Sequence, residues 1–318
     1  MLACQHIHKN FIKHKGLWSN TAVHAVSGVS LEIKRGETLG LVGESGSGKS
    51  TLGRCLAFLE PLTEGKIFWG EQEIHKLSRE QKRELRKKVQ VIFQDPLDSL
   101  NPHLTIERIV MEPLIYFGIG SLPERQEKVR RMVEKVGLLP ELLARYPGQL
   151  SRGQCQRVNI ARALILEPEI VICDEIISAL DVSVGGQIVN LLAQLQKEQG
   201  YGYLFISHDL ARVAQISHRI AVMYMGKIVE VVKGPQFHLE ACHPYSQTLL
   251  AAMPRLWSDG QMNRPMPEVA QHLADPVQPP SGCRYHPRCP YATELCLAKE
   301  PELAIRNDNH LVACHYLL

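Results

Sequence analysis

Gly43-Glu44-Ser45-Gly46-Ser47-Gly48-Lys49-Ser50 is the stretch that decides the fold. It satisfies the pattern Gly-x-x-x-x-Gly-Lys-Ser/Thr, after the strand-like run Thr38 to Val42 and ahead of the helix-like run Thr51 to Leu59. The glycines let the backbone curl into a nest of amide N–H groups, and the helix that follows adds its positive end. Lys49 is placed to reach the β- and γ-phosphates of a nucleotide, and Ser50 to ligate Mg²⁺. A glycine turn with a chance lysine would not explain the flanking strand and helix as well.

Outward from this loop, strand-like runs alternate with helical periodicity as far as about Leu256, the pattern of an α/β core with a mainly parallel sheet. Val89 to Phe93, Ile170 to Cys173 and Tyr203 to Ser207 read as further strands. Val129, Met132, Val133 and Val136, closed by Gly137, read as a core-facing helix, as do Ile188, Leu191, Leu192 and Leu195, closed by Gly200. The run Ile170-Val171-Ile172-Cys173-Asp174-Glu175 ends in two carboxylates at the edge of the sheet where ligands bind. Asp174 would complete the Mg²⁺ site and Glu175 would polarise the water that attacks the γ-phosphate.

Composition narrows the class. The chain has 318 residues, 45% hydrophobic and 22% charged, with a net charge of +3. That excludes disorder and fibrous arrays, while the charge is too mild to argue for a nucleic-acid partner and composition leaves the partner open. The cationic segment Arg79 to Lys88 is interleaved with Glu80 and Glu84 and reads as a solvated helix face. No apolar run reaches the roughly 18 residues of a membrane span, and the opening Met1 to Lys15 lacks the apolar core of a signal peptide. A cytosolic chain is expected, with its nine cysteines reduced.

Past Pro254 the texture changes. Arg264-Pro265-Met266-Pro267 and Asp275 to Pro280 form a proline-rich connector, which places a domain boundary at 255/256. The segment beyond is too small to hold a core unaided and must dock or be clamped by a metal. Cys283-x₅-Cys289-x₆-Cys296-x₁₇-Cys314 supplies four thiolates, suited to an iron–sulfur cluster or tetrahedral zinc, with buried free thiols as the third reading. His286 and His315 could replace a missing thiolate.

Leu150-Ser151-Arg152-Gly153-Gln154, with Arg157 and Ala161-Arg162-Ala163-Leu164 upstream of Asp174-Glu175, resembles the signature of ATP-binding cassette (ABC) ATPases. Gln94, Ser178 to Asp181 and Ser207-His208-Asp209 follow the family's order. The resemblance implies a P-loop NTPase of the ABC type spanning 1–255, with a helical subdomain at about 95–167 and a small Cys-rich extension at 256–318. It implies that ATP and Mg²⁺ sit on Gly43 to Thr51, with Ser50, Gln94 and Asp174 around the metal, Glu175 and His208 in catalysis, and Phe11 stacked on adenine, unless Phe11 is a core residue. Ser151, Gly153 and Gln154 would cover the nucleotide held by a second chain, so that ATP closes a dimer. Two departures stand out: Arg152 replaces the family's first glycine, which implies an altered site offered to the partner, and Ile176 replaces a proline.

Ile92 to Pro102, His243 to Leu250 and Pro279 to Pro290 resemble the oligopeptide/dipeptide importer branch, in its F-type member. That branch implies a peripheral ATPase on the cytoplasmic face of the inner membrane. It would pair with a different ATPase chain beneath two permease subunits fed by a substrate-binding protein, with no nucleic acid. It also implies a [4Fe-4S] cluster on the four late cysteines, structural or redox-sensing and remote from ATP, with zinc as runner-up. Import of nickel or metal–opine complexes, a soluble clamp on ribosomes or nucleic acid, and a redox-sensing binding subunit are the competing readings.

Overall fold

The computed structural model describes residues 1–15, 19–252, 277–307 and 310–316. Most of the proline-rich connector, and with it the expected boundary at 255/256, lies outside them. In chain order the first elements are β1 (Leu2–Lys15), β2 (Ser19–Ile33), β3 (Thr38–Val42), α1 (Lys49–Leu56), β4 (Glu64–Trp69), β5 (Gln72–Glu73), α2 (Arg79–Lys88) and β6 (Val89–Ile92). Next come α3 (Ile106–Phe117), α4 (Leu122–Lys135), α5 (Arg152–Leu164), β7 (Ile170–Asp174), α6 (Val182–Gln199), β8 (Gly202–Ile206) and α7 (Leu210–Ile216). The chain closes with β9 (Arg219–Tyr224), β10 (Lys227–Lys233), α8 (Phe237–Glu240), α9 (Pro244–Ala251), α10 (Glu294–Ala298), β11 (Ala304–Asn307) and β12 (His310–Val312).

The chain divides into two compact units, one built from Ile33–Thr38 and Lys76–Ser207, the other from Leu2–Glu32, Leu39–His75 and His208–Leu318. In the first, β6, β7 and β8 run parallel, Val89 beside Ile170 and Ile170 beside Gly202. Every residue of β7 and β8 is buried, as continuous apolar runs in a parallel sheet should be. The helix α6 buries Ile188, Val189, Leu192 and Leu195, each worth roughly 1.5–3 kcal/mol of transfer free energy. It stops at Gly200, whose φ of 71° suits a left-handed cap. α3, α4 and α5 fall within the expected 95–167, and Val129, Met132 and Val133 form the buried stripe of α4.

Arg79–Lys88 is the solvated helix expected. Ser78 and Gln81 close a capping box at its start, and Leu85 is its buried residue. Its cations cover aromatic faces on α3, Arg83 over Phe117 at 5.3 Å and Lys87 over the same ring at 5.2 Å.

The second unit carries a feature that the helix-and-strand alternation conceals, a sheet in the order β2-β1-β4-β5, in which β4 pairs antiparallel with both β1 and β5. β1 and β2 are long and carry polar and apolar residues in mixed order, so neither reads as an apolar run. Beside it, β3 pairs parallel with β9, β9 pairs antiparallel with β10, and β10 pairs antiparallel with β12, which in turn pairs with β11. Docking of the C-terminal segment is therefore partly by sheet extension. Glu230 on β10 is fully buried and accepts hydrogen bonds from Cys242 N at 2.8 Å, His243 N at 3.2 Å and His310 Nε2 at 2.8 Å. This carboxylate latches β12 to the sheet without leaving its own oxygens unsatisfied.

Candidate functional site

The loop Gly43–Ser50 joins β3 to α1, and glycine is required at two of its corners. A Cβ on Gly43 would lie 2.1 Å from the Met223 carbonyl oxygen, and one on Gly48, at φ 101°, 2.0 Å from that of Ala25. Lys49 is 4% exposed, and its ammonium donates to the Gly43 and Glu44 carbonyls at 2.8 Å each and to Ser47 Oγ at 3.3 Å. The charge is thus seated at the centre of the loop. Ser45 and Gly46 stand exposed at its mouth, and Ser50 is half-buried. The same unit holds Phe11, 37% exposed with the Lys9 ammonium 4.8 Å from its ring centroid, and the exposed His208. Phe11 is not a core residue.

In the other unit, Asp174 ends β7 at 5% exposure, and Glu175 follows with φ 49°. A left-handed glutamate is strained by about 1 kcal/mol or more, a cost that clusters at functional positions. Its N–H donates to the Ile206 carbonyl at 3.0 Å, and its own carbonyl accepts from Ser178 Oγ at 2.8 Å, which hold the backbone in place. Gln94 Nε2 donates to Glu175 Oε2 at 3.2 Å. The residue after Glu175, Ile176, is 1% exposed, so the proline departure is absorbed as core.

Ser151 caps α5. Its Oγ accepts from Gln154 N at 3.2 Å while Gln154 Oε1 accepts from Ser151 N at 2.9 Å, a reciprocal capping box. Gly153 lies where a Cβ would meet Val184 Cγ1 at 2.7 Å. Ser151 and Arg152 are both exposed at this positive helix end, the geometry of a surface that accepts an anion from outside.

Cys283, Cys289, Cys296 and Cys314 line one small cavity together with Tyr285 and Tyr291. Burial first, and the neighbouring thiols in smaller part, push the Cys314 thiol up to about 11. Cys283 and Cys289 are raised by burial first and by facing cysteines in part. Burial and mutual proximity therefore favour the neutral thiols here, and ionising all four together would need a cation among them. Gly282 makes the gathering possible. At φ 63° it lets Cys283 N reach the Cys296 carbonyl at 2.8 Å, where a Cβ would come within 2.3 Å of that oxygen. Among the described residues, the only metal-type group with ligand atoms all within 4.8 Å of one another is Glu230, Cys242 and His310, already tied by hydrogen bonds. No three of the four cavity thiols are that close. The five earlier cysteines are buried, and burial pushes Cys4 up to about 12 and Cys55 up to about 11, the state of inert core thiols.

One expectation is overturned. The cysteine segment is not remote from the phosphate loop, because Arg288, between Cys283 and Cys289, forms a two-pronged ion pair with Glu44 at 2.8 and 2.9 Å. Glu44 N donates to Tyr245 Oη at 2.7 Å. Arg288 and Tyr245 stand in the motifs quoted above, yet nothing in the spacing of either motif points at a residue some 200 positions away.

Residues 26–178 match the ABC transporter family, and residues 229–296 match the family described as the oligopeptide/dipeptide transporter C-terminal region. The oligopeptide transport ATP-binding protein OppF of Haemophilus influenzae is 48% identical over 91% of this chain and 88% of its own length. The oligopeptide transport ATP-binding protein AppF of Bacillus subtilis is 44% identical over 99% and 97%. Among solved structures, the dimeric structure of MJ0796, a bacterial ABC transporter cassette, superposes with a TM-score of 0.65 at 31% identity, covering 73% of this chain and 98% of that one.

Proposed function

The chain belongs to the ATP-binding subunits of oligopeptide and dipeptide ABC transporters, and from that membership we propose that it hydrolyses ATP to drive peptide import. The seat of Lys49 carries the reading, a buried ammonium held by loop carbonyls beneath an open glycine mouth, which a triphosphate can engage without refolding the loop. Gly43, Glu44, Ser45, Gly46, Ser47, Gly48, Lys49, Ser50 and Thr51 bind the phosphates, Phe11 meets the base, and Ser50, Gln94 and Asp174 are the Mg²⁺ ligands that family membership implies. Glu175 orients the attacking water and His208 steadies the γ-phosphate. Ser151, exposed at its helix start, and the half-buried Gly153 and Gln154 serve the nucleotide of a second, non-identical ATPase chain.

The cassette spans 1–255 and the extension 256–318. Among the described residues no helix is long and apolar enough to cross a membrane, in keeping with a peripheral subunit at the cytoplasmic face of the inner membrane, beneath two permeases and served by a substrate-binding protein. Cys283, Cys289, Cys296 and Cys314, which line one cavity, would hold a [4Fe-4S] cluster, with zinc as the alternative occupant. When bound, such a cluster supplies a covalent cross-link of the extension and a redox-active centre.

The test is reconstitution of the chain with its second ATPase, permeases and binding protein in proteoliposomes. Peptide-stimulated ATP hydrolysis with peptide uptake is expected. Uptake of nickel but not peptide would overturn the substrate, and ATP binding with no hydrolysis would overturn the enzyme.

A further inference from the structure

Glu44 is held at three points, and two of the anchors come from far along the chain. Its carbonyl accepts from Lys49, its N–H donates to Tyr245 Oη at 2.7 Å, and its carboxylate takes both prongs of Arg288. The arginine is pinned in turn. Its side chain is 15% exposed, and its guanidinium lies 5.8 Å from the Tyr224 ring centroid and 5.7 Å from that of Tyr285. Tyr224, Tyr245 and Tyr285 pack on one another with centroids 4.6 to 5.4 Å apart, and Tyr285 Oη meets Thr248 Oγ1 at 2.9 Å. Tyr285 itself is 1% exposed and sits between Cys283 and Cys289.

A second brace runs in parallel. Arg284 donates to the Met225 carbonyl, and the next residue, Gly226, donates its N–H to the Ser47 carbonyl at 2.8 Å. The loop Cys283–Cys289 thus grips the phosphate loop at both shoulders, Glu44 directly and Ser47 through the Met225–Gly226 turn. A planar, two-pronged guanidinium on a rigid aromatic platform fixes direction as well as distance, which a flexible lysine would not.

We propose that Arg288 is a positioning residue for nucleotide binding, and that through it the cysteine loop sets the shape of the phosphate cradle. This rests on the ATPase reading above. The amides of Gly46 to Lys49 bind phosphate only when the nest is open, so freeing Glu44 lets the loop sample conformations that bind poorly, and apparent affinity falls by the fraction of time spent there. Because linkage is reciprocal, whatever rearranges the cysteine loop changes nucleotide affinity, and nucleotide steadies the cysteine loop.

The experiment is calorimetric titration of the full chain with Mg-ATP. Arg288→Met should raise Kd by about 5-fold, the scale of a partly buried charge-assisted pair, with the number of sites unchanged; misfolding would instead reduce the number of sites and leave Kd alone. Glu44→Gln severs the same contact from the other end, and the double variant should bind no more weakly than Arg288→Met alone. An unchanged Kd in both single variants, or losses that simply add in the double, would overturn the proposal. If Arg288→Met fails to fold, Arg288→Lys keeps the charge and removes the fork, and should still weaken binding about 2-fold or more. A wild-type chain that does not bind Mg-ATP would sink the ATPase reading instead, so the two failures are distinct.

Discussion

Gln94 donates from Nε2 to the Glu175 carboxylate across 3.2 Å, joining the loop after β6 to the end of β7. The amide contact orients the carboxylate, and the residue's left-handed backbone, at φ 49°, takes the chain out of the strand conformation. Glu175→Gln should therefore leave Mg-ATP affinity within about 2-fold while lowering turnover by about 10² or more, the range of a lost general base. Single-turnover kinetics in the assembled complex check this, and unchanged turnover would remove Glu175 from its role. Gln94→Ala should cost less, since it removes the orienting contact and leaves the base.

Arg152 is exposed at the first position of α5, where the helix end is positive and a cation is unfavourable by about 0.3–1 kcal/mol. Arg152→Gly should leave the capping box of Ser151 and Gln154 intact and change the melting temperature little. It should alter turnover only at the nucleotide held by the partner chain. Comparing rates when either chain carries an inactive Lys49-type site separates the two, and an effect on this chain's own nucleotide would refute the assignment.

Gly48→Ala should abolish nucleotide binding and lower stability, because its Cβ would lie 2.0 Å from backbone at Ala25 and its φ of 101° disfavours any side chain. Gly46→Ala is the control, with nothing within 4 Å of its would-be Cβ and a φ of 78° that leaves only conformational strain, on the order of 1 kcal/mol. Thermal melts of the two variants side by side give the comparison.

How much of this was legible can be judged at particular residues. β3 and β7 were readable because a strand buried on both faces is a continuous apolar run, and Gly137 and Gly200 closed their helices because only glycine takes φ near 70° without cost. β1 and β2 were missed since half-buried strands carry His, Lys and Asn among their apolar residues. The grip of Arg288 on Glu44 was invisible for another reason. Motif spacing reports local geometry, whereas an ion pair closing a loop of more than 200 residues is set by the packing of Tyr224, Tyr245 and Tyr285.

His243 is 1% exposed, and burial lowers its pKa to about 4, with the Glu230 charge opposing the shift. The unfolded histidine titrates near 6.5. Between those values the unfolded chain binds a proton that the folded chain refuses, so stability is full above about pH 6.5 and falls as pH drops towards 4, by up to about 3 kcal/mol. Denaturant melts across that window should show the slope, and His243→Gln should flatten it. An equal slope in the variant would place the acid sensitivity elsewhere.

With the proposed cluster on Cys283, Cys289, Cys296 and Cys314, its removal should loosen the tail before the cassette. Anaerobic purification should give brown protein with visible absorbance, lost in Cys289→Ser and Cys296→Ser, and the mutants should expose the 283–298 segment to protease while Glu230 and His310 still hold β12 in the sheet. Selective cleavage follows from the two modes of attachment, since the cavity residues would depend on the proposed cluster whereas the strand depends on backbone pairing. Colourless protein carrying one zinc per chain would reject iron. Wholesale unfolding of the chain on loss of the thiolates would show that sheet extension and the Glu230 latch do not hold the tail by themselves.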